Sequence, residues 1–265
     1  MSSSLFSRFS LTAFGVAALL FTASCTTPPS APPPELSALT YDGSKQALAD
    51  LDREIAAAGQ DNAQLTAIAK RLIGTLRNPE ATFAARQAVA QRLGLFPAAT
   101  LLADGNAALF ANLLKDDAQV DLARLALDQV PGSAVDALFA DALETAAGKA
   151  RLAIVQSLGN RRVSAAAAPL SPILSSDDPA LAAAAAKALG QIGTADALAA
   201  LRAAQNVNAP TVVEATLTAA HHVGGPEAAR AFQQIADATE APAHLRAAAF
   251  RSLLILEPAD APAHI

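Results

Sequence analysis

The chain has 265 residues, of which 52% are hydrophobic and only 4% aromatic, and its formal net charge is −5. This apolar content excludes an intrinsically disordered chain. The acidic balance argues against a nucleic-acid-binding protein, which needs basic residues to neutralise phosphates. About a quarter of the residues are alanine, the strongest helix former, whereas sandwiches and barrels favour β-branched and aromatic residues. The composition therefore predicts an all-α protein.

Residues 1–24 have the pattern of an export signal. Arg8 is their only charged residue, an apolar run follows at 11–21, and small residues lead up to Cys25. A positive region, a short apolar region and a small-residue cleavage site are typical of a secretory signal peptide. The apolar run is shorter than the roughly 20 residues that a membrane-spanning helix needs. We therefore expect an exported protein from which residues 1–24 are removed.

Cys25 is the only cysteine, so the chain cannot form an internal disulfide. With the preceding Thr22-Ala23-Ser24 it resembles the lipobox of bacterial lipoproteins, although leucine is usual in that family at the position of Thr22. The resemblance implies a lipid on Cys25 as the first mature residue. Because Thr26 rather than aspartate follows, it also implies the periplasmic side of the outer membrane in a diderm bacterium. The alternative is an ordinary cleavage that leaves Cys25 unmodified.

Residues 25–43 are interpreted as a tether, because proline recurs through 26–34 and such segments are extended spacers of about 3 Å per residue. Residues 44–77 predict two helices, an N-terminal cap or a degenerate repeat. Ser44 is a candidate cap for the first helix, and Gly59 separates the two. The apolar residues with helical spacing are Leu48, Leu51 and Ile55 in the first helix, and Leu65, Ile68 and Leu72 in the second.

A repeat of about 31 residues covers 78–258, and a short tail follows at 259–265. Leu158-Gly159 lies 31 residues before Leu189-Gly190, and related phrases give six copies, the last cut short. Each copy predicts a first helix, which starts near Asn78-Pro79, Asp178-Pro179 or Ala209-Pro210 and ends near a glycine such as 159, 193 or 224. The second helices are predicted at 107–114, 134–143, 165–174, 196–204 and 226–236. Since such helices bury their apolar faces only by stacking, the pattern predicts a solenoid.

The repeated phrase, written D-P-x-Φ-x-x-A-A-x-A-L-G-x-I-G around 178–193, resembles the bacterial HEAT repeats, in particular the short PBS-lyase-like class. The resemblance implies a right-handed α-solenoid of about six stacked helix pairs, without a cofactor. It also implies a non-catalytic surface that binds a protein on its concave, second-helix side. That family carries a mainly structural arginine in its first helix. Arg86, Arg151 and Arg246 occupy this position here, whereas Ala182 and Val213 depart from it.

The charged doublets are candidate sites. Asp116-Asp117 and Asp177-Asp178 fall at predicted helix starts, where carboxylates cap free N–H groups and match the helix dipole. We favour capping over acid–base catalysis for them. Arg161-Arg162 is interpreted as a solvated turn, with an anion-binding site as the alternative.

The histidines do not predict a metal site. His221 and His222 are adjacent and would point about 100° apart on a helix. His222 and His244 could meet across the stack, but surface or helix-end positions are the simpler interpretation for these residues and for His264. Pro169 and Pro172 are expected to kink the helix at 165–174.

The sequence therefore predicts a non-catalytic HEAT-like scaffold of the cell envelope that binds another protein and no nucleic acid. Its contact with the membrane would be through the N-terminal lipid only. Arg202 and Arg230, on predicted second helices, are the candidate partner-binding residues. The alternatives are an accessory or chaperone subunit of an enzyme, or a PBS-lyase-like enzyme.

Overall fold

The computed structural model describes residues 34–43 and 45–256, which form helices and turns without any strand. The α-helices of this part are α1 (Pro34–Ser37), α2 (Gln46–Ala58), α3 (Asn62–Arg77), α4 (Phe83–Leu93), α5 (Ala98–Leu101), α6 (Asn106–Lys115), α7 (Val120–Leu127), α8 (Ser133–Thr145), α9 (Gly148–Asn160), α10 (Ala167–Leu170), α11 (Pro179–Ile192), α12 (Ala195–Arg202), α13 (Pro210–Val223), α14 (Gly225–Asp237) and α15 (Ala243–Leu256). Among these helices we find no candidate for a membrane span, since none combines the length and the apolar composition that a span requires.

The helices stack in two layers. The first helices of the successive copies are α4, α7, α9, α11, α13 and α15, and the second helices include α6, α8, α12 and α14. Helix α11 packs between α9 and α13, whereas α6 packs against α8 in the other layer. The pair α2–α3 precedes the stack, and α3 packs against α4. This arrangement confirms the predicted α-solenoid of helix pairs.

The repeated leucines form the centre of this stack. Leu93, Leu127, Leu158 and Leu189 are each fully buried, at 0% exposure. Alanines are buried beside them, as in α11, where Ala185 and Ala186 are also inaccessible to solvent. Small side chains let helices pack closely, which explains the alanine-rich composition.

Helix α9 ends at Asn160, one residue after Gly159, so the predicted position of this helix end is confirmed. Gly159 itself is still helical, and it has a further role in packing. A Cβ atom at Gly159 would lie 2.6 Å from the Cα atom of Ala188 on α11, and one at Gly190 would lie 3.0 Å from the Cα atom of Ala215 on α13. These two glycines therefore allow consecutive first helices to touch. Gly193, in contrast, ends α11 in the left-handed conformation, as predicted.

Two of the helix starts illustrate how capping sets the boundaries. The carboxylate of Asp178 accepts hydrogen bonds from the N–H groups of Ala180 and Leu181 at 2.9 and 3.3 Å, as expected of a capping residue. The start predicted at Asn78-Pro79 is wrong. Asn78 follows the end of α3, and the hydroxyl of Thr82 accepts from the N–H of Ala85 at 3.0 Å. Helix α4 therefore begins after Thr82.

The second helix predicted at 165–174 is broken into three pieces. A short 3₁₀ helix at Ser164–Ala166 precedes α10, and another at Ser171–Ser175 follows it. Pro169 and Pro172 lie in these pieces. Because proline has no N–H and its ring clashes with the preceding turn, a continuous helix cannot form here, which confirms the predicted kink.

The N-terminal helices differ from the prediction at one place. Residues 34–43, expected in the tether, pack on the folded body: Leu36 is buried, the N–H of Thr82 donates to the carbonyl of Ser37 at 3.0 Å, and Tyr41 donates to Gln87 at 2.8 Å. The predicted break at Gly59 is present, with φ +52°. The predicted signal at 1–24, Cys25, the cap Ser44 and the tail 259–265 lie outside the described residues.

Candidate functional site

The two candidate arginines of the second-helix layer are placed differently. Arg202 ends α12 and is half-buried, and its Nε donates to Oε1 of Gln234 on α14 at 3.0 Å. It therefore links the second helices of neighbouring copies. Arg230 is exposed on α14 and has no hydrogen bond or ion pair within the described residues. Of the pair, Arg230 alone presents an unengaged charge to solvent.

The arginines of the first-helix position connect copies. Arg86 donates from Nη1 to Oε1 of Gln119 at 3.2 Å, and Arg246 donates from Nε to the carbonyl oxygen of Ala236 at 3.2 Å. Arg151 is half-buried, and its buried Nε has no hydrogen-bond partner within the described residues. The contacts of Arg86 and Arg246 lie between elements of the solenoid, as a structural role requires.

The expectation that Arg161 lies in a solvated turn or binds an anion is wrong. Its side chain is only 6% exposed and pairs with Asp136 at 2.6 Å. It also donates to the carbonyl oxygens of Leu127 and Asp128 at 2.7 and 3.0 Å, and its guanidinium lies 5.6 Å from the centre of the Phe139 ring. Arg161 is thus a buried link to the preceding copy, whereas Arg162 is exposed.

Sequence reasoning missed a polar cluster around Asp128. This residue follows Leu127 at the position that Gly159 and Gly190 hold in later copies. Burial raises the pKa of Asp128, against the opposing effects of the Ser157 hydroxyl and the guanidinium of Arg124. Arg124 lies 3.4 Å from the Asp128 carboxylate and donates to Ser157 at 2.9 Å. An aspartate at a glycine position of the repeat is the sequence signal that could have revealed it.

Three of the four carboxylates in the acidic doublets, those of Asp116, Asp117 and Asp178, accept backbone N–H hydrogen bonds, whereas Asp177 accepts none within the described residues. Asp116 accepts from the N–H of Ala118 at 2.8 Å, and hydrogen bonds from the side chain of Gln119 and from this N–H hold its pKa below the ordinary value. Asp117 accepts from the N–H of Ala150 at 2.7 Å, so it caps α9 in the next copy. The hydrogen bonds of Asp116, Asp117 and Asp178 are those that the capping interpretation requires.

The histidines are dispersed. His221 lies 4.9 Å from the ring of Phe232, and its Nε2 is 3.2 Å from the hydroxyl of Ser252 on α15. His222 contacts the carbonyl of its own helix at Thr218. The residue that faces the next copy is therefore His221, and not His222 as expected. No group of three or more His, Cys, Asp or Glu residues within the described part could hold a metal ion.

The first-helix layer contains a depression of about 580 Å³ above α11, which we call the α11 trough. Its floor consists of small residues: Ala180, Ala183, Ala184, Gly190 and Ala215. Its rim consists of polar residues from α9, α11 and α13: Gln156, Lys187, Gln191, Thr211, Glu214 and Thr218. A neighbouring depression of about 360 Å³ shares Ala183 and Thr211 with it.

The repeat explains why the trough lies above α11. At a spacing of 31 residues, Ala183 corresponds to Leu152 in the preceding copy and to Glu214 in the following one. Ala180 likewise corresponds to Lys149 and Thr211. The side chains on the outer face of α11 are therefore shorter than those at the equivalent positions of α9 and α13. As a result, polar side chains flank an apolar floor. Such a surface suits binding, because it offers apolar area together with a few orienting polar groups.

The family model of HEAT repeats matches residues 135–220, which run from α8 into α13 and include the trough. The match covers fewer residues than the six copies predicted over 78–258. No curated protein matches the chain. The middle of the chain is thus similar to the HEAT repeats, helical repeats that commonly mediate protein–protein interaction and generally serve as non-enzymatic scaffolds.

Proposed function

We propose that the protein is a non-catalytic scaffold that binds another protein, and that the α11 trough is its main contact surface. The observation that carries this proposal is the trough itself, an open depression of about 580 Å³ with an alanine floor and a polar rim, within the residues that match HEAT repeats. An apolar core with a polar rim is the usual composition of a protein-binding surface.

The second-helix side is the alternative surface, because the family resemblance places partners there. Arg202 is engaged with Gln234, so the cation available on that side from the candidate pair is Arg230. A partner bound through Arg230 would depend on its charge, whereas one bound in the trough would depend on the space above Ala183.

Affinity capture with the full chain tests the proposal. We compare the wild type with Ala183→Arg, which fills the trough, with Ala199→Arg on the exposed face of α12, and with Arg230→Glu. We expect a partner protein to be recovered in fixed proportion by the wild type and Ala199→Arg and lost with Ala183→Arg. Equal recovery by all four proteins, or no protein enriched by the wild type, would overturn the proposal. If the partner is lost only with Arg230→Glu, the binding site lies on the second-helix side instead.

We also propose that the protein is exported and anchored through a lipid on Cys25, at the outer membrane in a diderm bacterium. The order of Arg8, the apolar run, the small residues and the sole cysteine supports this proposal. We expect a radiolabelled fatty acid to be incorporated into the wild type and not into Cys25→Ser, which should be soluble or unprocessed. An unlabelled wild type with a free thiol would refute the anchor and leave ordinary signal cleavage.

The same capture experiment bears on the alternative of an accessory subunit. If the recovered partner is an enzyme, its activity with and without this chain separates an accessory role from a passive scaffold.

A further inference from the structure

We infer that the trough receives an amphipathic α-helix of the partner protein, laid along α11 with its apolar stripe on the alanine floor. This inference rests on the proposed protein-binding function and specifies the kind of segment that is bound. Its evidence is the direction of the trough, the nature of its floor and the charges on its rim.

The trough follows the axis of one helix. Ala180, Ala183, Ala184, Lys187 and Gln191 lie at positions i, i+3, i+4, i+7 and i+11 of α11, which is one face of a helix. At about 1.5 Å per residue, these positions extend over roughly 16 Å, or three turns. Glu214 and Thr218 form a wall on α13, and Gln156 marks the side of α9. The depression is therefore long enough for several turns of a second helix.

The floor favours a helix over an extended peptide. Its residues belong to two helices, α11 and α13, whose internal backbone N–H and C=O groups already bond within each helix. An extended segment would leave its own main-chain groups without partners on such a surface, whereas a helix satisfies them internally. Alanine and glycine on the floor allow a second helix to approach closely, and leucine-sized side chains on its stripe would fill the volume.

The rim charges give the bound helix an orientation. Lys187 and Glu214 are both exposed, and neither has an ion pair within the described residues. Charges of opposite sign across an interface fix the register of the partners. The inferred helix therefore carries an acidic residue beside Lys187 and a basic residue beside Glu214.

A photo-crosslinking residue at position 183 of the full chain, with position 199 as the control, identifies the bound segment. We expect crosslinks from position 183 to a segment of another protein whose apolar residues recur at spacings of three and four. Crosslinks from position 199 alone would refute the trough while leaving protein binding intact. The absence of protein crosslinks at both positions would refute the proposed function itself. Crosslinks from position 183 to a second copy of this chain would replace the partner by self-association and overturn the inference.

The crosslinked segment, made as a synthetic peptide, is then the probe for binding to the purified full chain. We expect Ala183→Arg, or a proline at the centre of the peptide, to weaken its binding by at least about tenfold. Ala199→Arg should leave binding unchanged. Lys187→Glu should weaken it, and reversal of the acidic residue in the peptide should restore it. A peptide that tolerates the proline would show that the occupant is not a helix. Indifference to Lys187→Glu would refute the orientation.

Discussion

At the scale of single residues, the contacts of two glycines determine how closely the copies pack. Gly159 and Gly190 lie within helices, where glycine is normally unfavourable by about 0.5–1 kcal/mol relative to alanine. Each faces backbone atoms of the next first helix, at 2.6 Å and 3.0 Å from the position of a Cβ. Because backbone atoms cannot rotate away as the end of a flexible side chain can, the close packing depends on the missing methyl group.

We expect Gly159→Ala to lower the free energy of unfolding by about 1–3 kcal/mol, since overpacking of a well-packed contact costs that much. Gly74→Ala in α3 is the matched control, because a Cβ there meets nothing within 4 Å. The control should raise stability by about 0.5–1 kcal/mol through helix propensity alone. Urea unfolding of both variants measures the difference. If Gly159→Ala were as stable as Gly74→Ala, close packing at this position would not be limiting.

The role of these glycines could not be read from the sequence. The spacing of Leu158-Gly159 and Leu189-Gly190 reveals the repeat, and the burial of both leucines follows from it. However, glycine is also the usual residue at the end of a helix, so Gly159 resembled a terminator. The distinction depends on the neighbouring helix, which lies about thirty residues away along the chain.

At the scale of elements, the joint between α7 and α9 differs from the later ones. Asp128 replaces the glycine, and it is held with Arg124, Ser157 and Arg161 in a partly buried cluster. Oδ1 of Asp128 is buried and has no hydrogen-bond partner within the described residues. A buried carboxylate without full hydrogen bonding is costly in its ionised form. This joint therefore has a polar and pH-sensitive contact where the next two joints have close helix packing.

The pKa of Asp128 makes stability depend on pH. Because its pKa in the folded protein is raised above the ordinary value of 3.8, the folded state binds more protons than the unfolded state between the two values. The contribution of Asp128 to stability is therefore fully present below about pH 3.8 and is lost as pH rises through the folded pKa. Asp61 and Asp116, whose pKa values are lowered by hydrogen bonds, contribute the opposite dependence.

We expect Asp128→Asn to remove the first of these dependences. The free energy of unfolding of the variant, minus that of the wild type, should increase as pH rises above about 3.8 and then level off. Asp61 and Asp116 are present in both proteins, so their effects cancel in the difference. Urea unfolding of both proteins at a series of pH values measures it. A difference that is constant with pH would show that Asp128 titrates normally in the folded state.

Helix boundaries were predicted well where the capping residue and the repeat spacing indicate the same start, as at Asp178 and α11. The prediction failed at Asn78-Pro79, because Thr82 offers the cap that α4 uses. The trough is only partly visible in the sequence. Aligning the copies shows that Ala180 and Ala183 are smaller than their equivalents, but which helix face meets solvent follows from how α9, α11 and α13 pack. A pattern of short side chains alone does not distinguish an exposed floor from a buried contact.

At the scale of the whole molecule, stability depends on contacts between neighbouring copies. Helix α11 packs against α9 and α13 as well as its own partner α12. Helix α15 packs against α13 and α14 and is the last helix of the described part. In a linear array, the loss of a central copy removes two interfaces, whereas the loss of a terminal copy removes one. Equivalent substitutions should therefore have different consequences along the stack.

We expect Leu189→Ala and Leu253→Ala to demonstrate this difference, because both leucines occupy the same repeat position and are buried at 0% and 1% exposure. Each removes a comparable side chain, a loss of about 2–5 kcal/mol at a buried site. With Leu189→Ala, faster amide hydrogen exchange should extend across α9, α11 and α13, since the central copy supports both neighbours. With Leu253→Ala, it should be confined to α14 and α15, because these helices can open while the remaining interfaces persist. Hydrogen-exchange mass spectrometry of both variants measures the extent. Equal acceleration throughout the chain in both variants would mean that the array unfolds as one cooperative unit, and that nearest-neighbour contacts do not set its local stability.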